Sequence, residues 1–254
     1  MGEGLRDSTR SKLRKAFSMS SSRSSSPFQQ PSKSPSPSPI GWVDPPLTKL
    51  ELTGYKTATK QRLLDLGLAE DLRLHLPLRL QITHNWKLCY SLEQNGSSLS
   101  TLYSSSLPDR SETGKKIGYL LVVYDQNHDK FGCYLNEHLR PMDRRAYYGN
   151  GECFLWKVEK GRIPSLTEDL TNSSSSSLPV QFRLKVFPYT SLNDFIIYSN
   201  HSFISIGSGN GKFGLWIDEN LVKGASSTVD TFGNEPLSRE EQFQVMGLEI
   251  WKII

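Results

Sequence analysis

Gly209-Asn210-Gly211-Lys212-Phe213-Gly214 has the GxGxxG spacing that cradles a pyrophosphate when a strand precedes it and a helix follows. Here the alternating run FGLWID follows, and Phe213 stands where a phosphate-binding loop would need Ser or Thr. The spacing therefore predicts a hairpin with Asn-Gly in a primed turn. Asp125, Asn127 and Asp129 resemble the start of a calcium loop, but Lys130 replaces the glycine at its sixth position and Asn136 the glutamate at its twelfth. A hairpin turn is expected there too. The three cysteines, Cys89, Cys133 and Cys153, are widely spaced and form no CxxC. Cys153 with His138 is the one conceivable nucleophile pair, and a strand position favours a buried, inert thiol. The five histidines stand at no metal-ligand spacing. Glu152, Asp194, Asp218 and Glu235 lie beside glycine turns, where paired carboxylates could do acid–base work. Charged turn residues are more often simply solvated. Nothing in these patterns requires a catalytic residue, a metal or a cofactor.

What remains is a set of polar, glycine-rich tips: Gly149, Gly151 and Glu152; Asn193 and Asp194; Gly209, Gly211 and Lys212; Asn234 and Glu235. Tips of this chemistry on a rigid scaffold are where partner contacts concentrate, and these ten residues are the expected protein-binding positions.

The elements that carry them can be read from periodicity. Lys60–Leu76 has a broad leucine stripe that predicts a helix, with a break at Gly67 and a stop at Pro77. Trp86–Leu92 reads as a strand, and Ser97–Tyr103 as a helix opened by a capping serine. Ile117–Asp125 and Phe131–Asn136 form a hairpin, and Glu152–Val158 alternates as a strand. Lys160–Pro179, with five consecutive serines, reads as a surface insertion. Val180–Phe187, Asp194–Ser199, Ser202–Ile206, Lys212–Asp218, Ala225–Asp230 and Gln242–Ile253 are short strands separated by turns. The pattern is α+β: an antiparallel sandwich with a few helices on its N-terminal side. Trp86, Trp156, Trp216 and Trp251 each fall in a strand-like run, where core packing is the default.

Composition limits the partners. Residues 1–40 hold 13 Ser and 5 Pro, with seven basic side chains against two acidic ones. They leave the other 214 residues near neutrality, which excludes a broad nucleic-acid footprint. Residues 1–46 read as a disordered Ser/Pro-rich basic tail, and 47–254 as the folded domain. Within the tail, Leu13, Ala16 and Phe17 share a possible helical face among basic residues, so a mitochondrial targeting helix stands beside a plain basic tail. Ser26, Ser34, Ser36 and Ser38 each precede proline and are candidate phosphorylation sites. No apolar run is long enough to span a bilayer.

Seven ordered blocks make a more specific pattern than any single motif: WKLCYSLEQNGSSLSTLY (Trp86–Tyr103), NEHLRP (Asn136–Pro141), YYGNGECFLWK (Tyr147–Lys157), VFPYTSLNDFIIYS (Val186–Ser199), GSGNGKFGLWID (Gly207–Asp218), TFGNEPLS (Thr231–Ser238) and LEIWK (Leu248–Lys252). In these the chain resembles the TLDc domain of the oxidation-resistance family, in its short fungal form. The resemblance implies a sandwich of two antiparallel β-sheets with flanking helices, and protection from oxidative damage. It further implies binding to peripheral subunits of the vacuolar-type proton-pumping ATPase and control of their assembly. It implies no catalytic mechanism and no cofactor. The expected protein is a noncatalytic, monomeric intracellular module, in the cytoplasm (including the vacuolar surface) or the mitochondrion. A mitochondrial antioxidant acting through thiol chemistry is the alternative.

Overall fold

The computed structural model describes residues 47–144, 146–162 and 180–254. The tail, its four Ser-Pro serines and most of the serine-rich insertion lie outside these. In chain order the elements are β1 (Glu51–Thr53), α1 (Leu66–Arg73), α2 (Leu78–Gln81), β2 (Asn85–Ser91), α3 (Leu92–Asn95), α4 (Leu99–Ser106), β3 (Gly118–Asp125), β4 (Lys130–Leu135), β5 (Phe154–Arg162), β6 (Val180–Pro188), β7 (Ile197–Ser199), β8 (Phe203–Gly209), β9 (Lys212–Asp218), β10 (Lys223–Ala225) and β11 (Gln242–Ile253). A short 3-10 turn, Arg110–Glu112, precedes β3.

The strands run in the order β6-β5-β4-β3-β11-β10-β9-β8-β7, with β2 also on β11 and β1 on β2. All pairings are antiparallel except β1 with β2, which is parallel. Strand β11 makes two layers from one ladder. One edge lies along β3, while the other pairs first with β10 and then with β2. The register shifts between Val245 and Gly247, so the strand bends as it passes from one sheet to the other. The strand path is open, not a closed barrel.

Two apolar cores result. Leu121, Val123, Leu155, Ile204, Ile206 and Leu215 meet between the sheets, with Leu99, Leu102 and Tyr103 of α4 joining them. On the other face of the first sheet, Leu120, Val122, Trp86, Trp156 and Trp251 pack under Leu64, Ala69, Leu72 and Leu80 of the N-terminal segment. That sheet is covered on both faces, which is why β3 reads as the unbroken apolar run GYLLVVYD. Each fully buried leucine or isoleucine contributes about 1.5–3 kcal/mol.

Several expected boundaries move; the strand expected over Asp194–Ser199 is confined to Ile197–Ser199. Residues 60–65 are not helical, although the leucine spacing continues through them. The backbone N–H groups of Lys60 and Gln61 donate to the Glu93 carboxylate, and those of Leu63 and Leu64 to Glu249. With four of its six backbone donors spent on distant carboxylates, the segment is held out of helical turns. Helix α1 starts after Asp65, whose carboxylate accepts from Leu68 N at 2.9 Å, and it includes Gly67 instead of breaking there. Residues 226–230 lie outside the ladder after β10: Ser226 N and Ser227 N still donate to Glu241 O and Phe213 O, and the Ser226 hydroxyl donates to Gly214 O and accepts from Leu237 N. Lys160, Gly161 and Arg162 belong to β5 and pair with Phe182, Gln181 and Val180, so only the part after Arg162 can form the insertion. The helix after Ser97 forms with Ser98 as its cap, its hydroxyl accepting from Thr101 N.

Candidate functional site at the loop end of the sandwich

The GxGxxG segment is the β8–β9 hairpin. Gly209 pairs with Lys212, and Asn210 and Gly211 both have positive φ (52° and 74°), as a primed turn demands. The calcium-like segment is the β3–β4 turn. One Asp125 oxygen accepts from Asn127 N and Asp129 N, and the other from the Ser238 hydroxyl at 2.6 Å.

The carboxylates beside the turns do not pair with one another for acid–base work. Glu152 is held by both terminal nitrogens of Arg79, 2.5 Å from each oxygen, and that hydrogen bonding draws its pKa down. Asp194 accepts from the Tyr189 hydroxyl at 2.8 Å. Asp218 accepts from Val222 N and Lys223 N. Glu235 lies 2.5 Å from Lys157 and 2.8 Å from Lys185, and hydrogen bonds from these two lysines lower its pKa to about 2.

The thiols are equally engaged. Burial raises the Cys89 thiol to about 12, raises Cys153 to about 11 and pushes Cys133 well above its ordinary value. Cys153 Sγ donates to Asn136 Oδ1 at 3.1 Å; its hydrogen-bond partner is an amide oxygen and not the imidazole of His138. A thiolate nucleophile at neutral pH has no support in this arrangement.

Most of the expected partner-binding tips converge. The loop after β4 meets the loop after β6: a Cβ on Gly149 would stand 2.8 Å from Ile197 Cδ1, and one on Gly151 2.9 Å from the Tyr189 ring. Thr190 N donates to Thr231 O at 3.0 Å, which ties the loop after β6 to the segment before β11. Asn193 joins the third pair of loops. Its Oδ1 accepts from the Thr231 hydroxyl at 2.8 Å and from Phe195 N at 3.0 Å, and its Nδ2 donates to Ser208 O. Gly209 backs onto Asp230, and Lys212 lies 3.7 Å from Glu241.

Asn234 does not belong on the accessible surface. It is fully buried, and its Nδ2 donates to Ser227 O and Glu235 O. Its polarity serves the interior of the 226–237 segment. Asn193 is half-buried and acts as a brace. Glu152 and Glu235 are tied down by cations, so their charges are largely compensated.

The accessible side chains at this end include residues that loop polarity did not indicate. Leu192 is 73% exposed, Phe195 45% and Tyr147 37%. The Tyr147 ring lies 4.9 Å from Phe195 and 5.5 Å from Tyr198, and contacts continue through Phe203 to Phe213 and Trp216. An aromatic band therefore runs from the loop end onto the outer face of β7, β8 and β9. Ser191 beside Leu192 has φ 64°. The sequence signal for the band was the alternation in DFIIYS, SFISI and KFGLWI, which also fits an ordinary half-buried sheet.

The geometry presents a braced, nearly charge-neutral surface with exposed aromatic and aliphatic groups, suited to contact with another protein. Among the described residues, no helix is long and apolar enough to cross a membrane. The TLDc domain family matches residues 57–254. Proteins named oxidation resistance protein 1 are similar over most of their length. That of Debaryomyces hansenii is 46% identical over 246 residues, covering 82% of this chain and 76% of the relative. That of Kluyveromyces lactis is 43% identical over 212 residues, covering 83% of each. That of Saccharomyces cerevisiae is 39% identical over 215 residues, covering 82% of this chain and 78% of the relative.

Proposed function

The chain belongs to the TLDc-domain family, and on that premise we propose that it is a noncatalytic docking protein that protects cells from oxidative damage by binding another protein. Kinship with oxidation resistance proteins supports the role in oxidative stress. The docking reading rests on one observation above the others: loops from four parts of the chain are braced together beside Leu192, Phe195 and Tyr147, which remain exposed. The partner in this reading is the peripheral sector of the vacuolar-type proton pump. A single copy of the domain binds one of the two forms, assembled or dissociated, more tightly than the other and so shifts the balance between them. The thiol alternative is disfavoured by the raised pKa of all three cysteines.

Mixing the full chain with the purified peripheral sector tests this, with co-elution and residual ATP hydrolysis as readouts. Leu192→Ser with Phe195→Ser should weaken binding by about tenfold or more, since buried aromatic anchors dominate such interfaces. Absence of binding by the wild-type chain would refute the assigned partner. Binding unchanged in the double variant would refute the assigned surface. Serine at all three cysteines, with oxidant survival unchanged and the fold intact, would exclude the thiol route.

A further inference from the structure

A second feature lies beside the Arg79–Glu152 pair. A cavity of about 280 Å³ opens where α2, the turn before β3 and the loop between β4 and β5 meet. Its walls include two carboxylates, and each is already matched. Glu152 takes both terminal nitrogens of Arg79, and Glu137 stands 2.8 Å from Arg140. Lys115 and Lys116 also line the cavity and form no ion pair among the described residues. The local balance is thus positive by two charges.

Two neutral amides follow the same rule. Asn136 Oδ1 accepts from Asn150 N at 3.0 Å and from Cys153 Sγ at 3.1 Å. Asn150 Oδ1 accepts from Glu152 N at 3.0 Å. A backbone N–H can meet only an acceptor, so both amide orientations are fixed. Their side-chain nitrogens make no hydrogen bond among the described residues. The Asn136 acceptor and both Glu152 oxygens of this wall are spent on the fold, while its amide nitrogens and lysines are left over. Tyr119 belongs to the same wall, and its buried hydroxyl and Arg79 Nε likewise have no partner among the described residues.

A concave site with surplus donors and surplus positive charge suits a ligand that only accepts hydrogen bonds. We infer that this cavity binds a small oxyanion, a phosphate or a carboxylate, held by Lys115, Lys116 and the side-chain amides of Asn136 and Asn150. The volume of about 280 Å³ admits the anionic group with a few attached atoms. This inference does not depend on the docking reading, because the donors are counted independently of the aromatic surface.

The test titrates the full chain with inorganic phosphate and, separately, with succinate, replacing chloride at constant ionic strength. Side-chain amide resonances of Asn136 and Asn150 are followed by NMR. Saturable shifts with an affinity on the order of millimolar or better are expected. Phosphate binding more tightly than succinate would indicate a phosphorylated metabolite as the ligand, and the reverse order a carboxylic acid; either supports an oxyanion site. Lys115→Gln with Lys116→Gln should weaken binding by about tenfold or more through loss of charge-assisted bonds, while Lys223→Gln, an exposed charge elsewhere, should leave it unchanged. Shifts that rise linearly without saturation, or that are equal in the double-glutamine and Lys223→Gln variants, would overturn the inference and reduce the effect to ionic screening.

Discussion

Replacing Glu249 by glutamine should destabilise the domain by about 2–4 kcal/mol, because one buried carboxylate holds the N-terminal strap onto β11. Four donors converge on it. Oε1 accepts from Leu63 N at 3.0 Å and from the Tyr55 hydroxyl at 2.8 Å. Oε2 accepts from Leu64 N at 3.3 Å, from Trp251 Nε1 at 3.0 Å and again from Tyr55 at 2.9 Å. Glutamine keeps the shape but only one of the two acceptor oxygens. Its NH₂ then faces at least one backbone N–H, leaving about two buried donors unsatisfied at roughly 1–3 kcal/mol each. Part of this is offset. Burial raises the Glu249 pKa, so the wild-type protein bears a cost for the ionised form that the amide escapes. At roughly 2–4 °C per kcal/mol for a domain of this size, the melting temperature should fall by about 5–15 °C. Hydrogen exchange localises the effect: the Leu63 and Leu64 amides should exchange faster than those of β3 and β4, which stay paired. A double-mutant cycle with Tyr55→Phe should be non-additive, because both changes remove the same hydrogen bonds. A melting temperature within about 2 °C of wild type, with protection of Leu63 and Leu64 unchanged, would refute the reasoning, since it would mean that these hydrogen bonds contribute no net stability.

Further outcomes follow from the same structure. The native cysteines should alkylate slowly at neutral pH: raising Cys89 from 9 to about 12 lowers its thiolate fraction about a thousandfold, and labelling at the rate of a free thiol would contradict that burial. Glu235 has a depressed folded pKa, so its contribution is complete above about 4.5 and lost as pH falls toward 2. Exposure limits that contribution to roughly 1 kcal/mol or less, and Glu235→Gln should flatten the acid limb of a stability–pH curve by that amount. Asn193→Ala removes the acceptor of both Thr231 and Phe195 N and should cost about 1–3 kcal/mol, with partner affinity falling as the loop bearing Leu192 and Phe195 loosens; unchanged stability would show that Asn193 is not a brace. Ser98→Ala removes the cap of α4 and should cost about 1 kcal/mol by chemical denaturation.

Local chemistry was legible in the chain wherever a few neighbouring residues decide the outcome. Asn210-Gly211 between alternating runs specifies a primed hairpin because both positions need positive φ. Asp125 specifies its turn because its carboxylate can reach N–H groups two and four residues on. Ser98 specifies a helix start by the same short reach, and the seven blocks specify the family. Tertiary structure decided what depends on distant groups. The leucine spacing of residues 60–65 fits a helix, but Glu93 and Glu249 take the N–H groups a helix would need. Asn234 has the composition of a surface tip, yet hydrogen bonds to Ser227 and Glu235 place it inside. Glu152 was visible as a charged turn residue, whereas Arg79, 73 residues earlier, leaves no trace of the pairing in local sequence. The exposure of Leu192, Phe195 and Tyr147, and the surplus of donors around Lys115 and Lys116, arise only when loops far apart in the chain are folded together. Hydrogen-bond satisfaction and burial are properties of the assembled set, and no residue carries them alone.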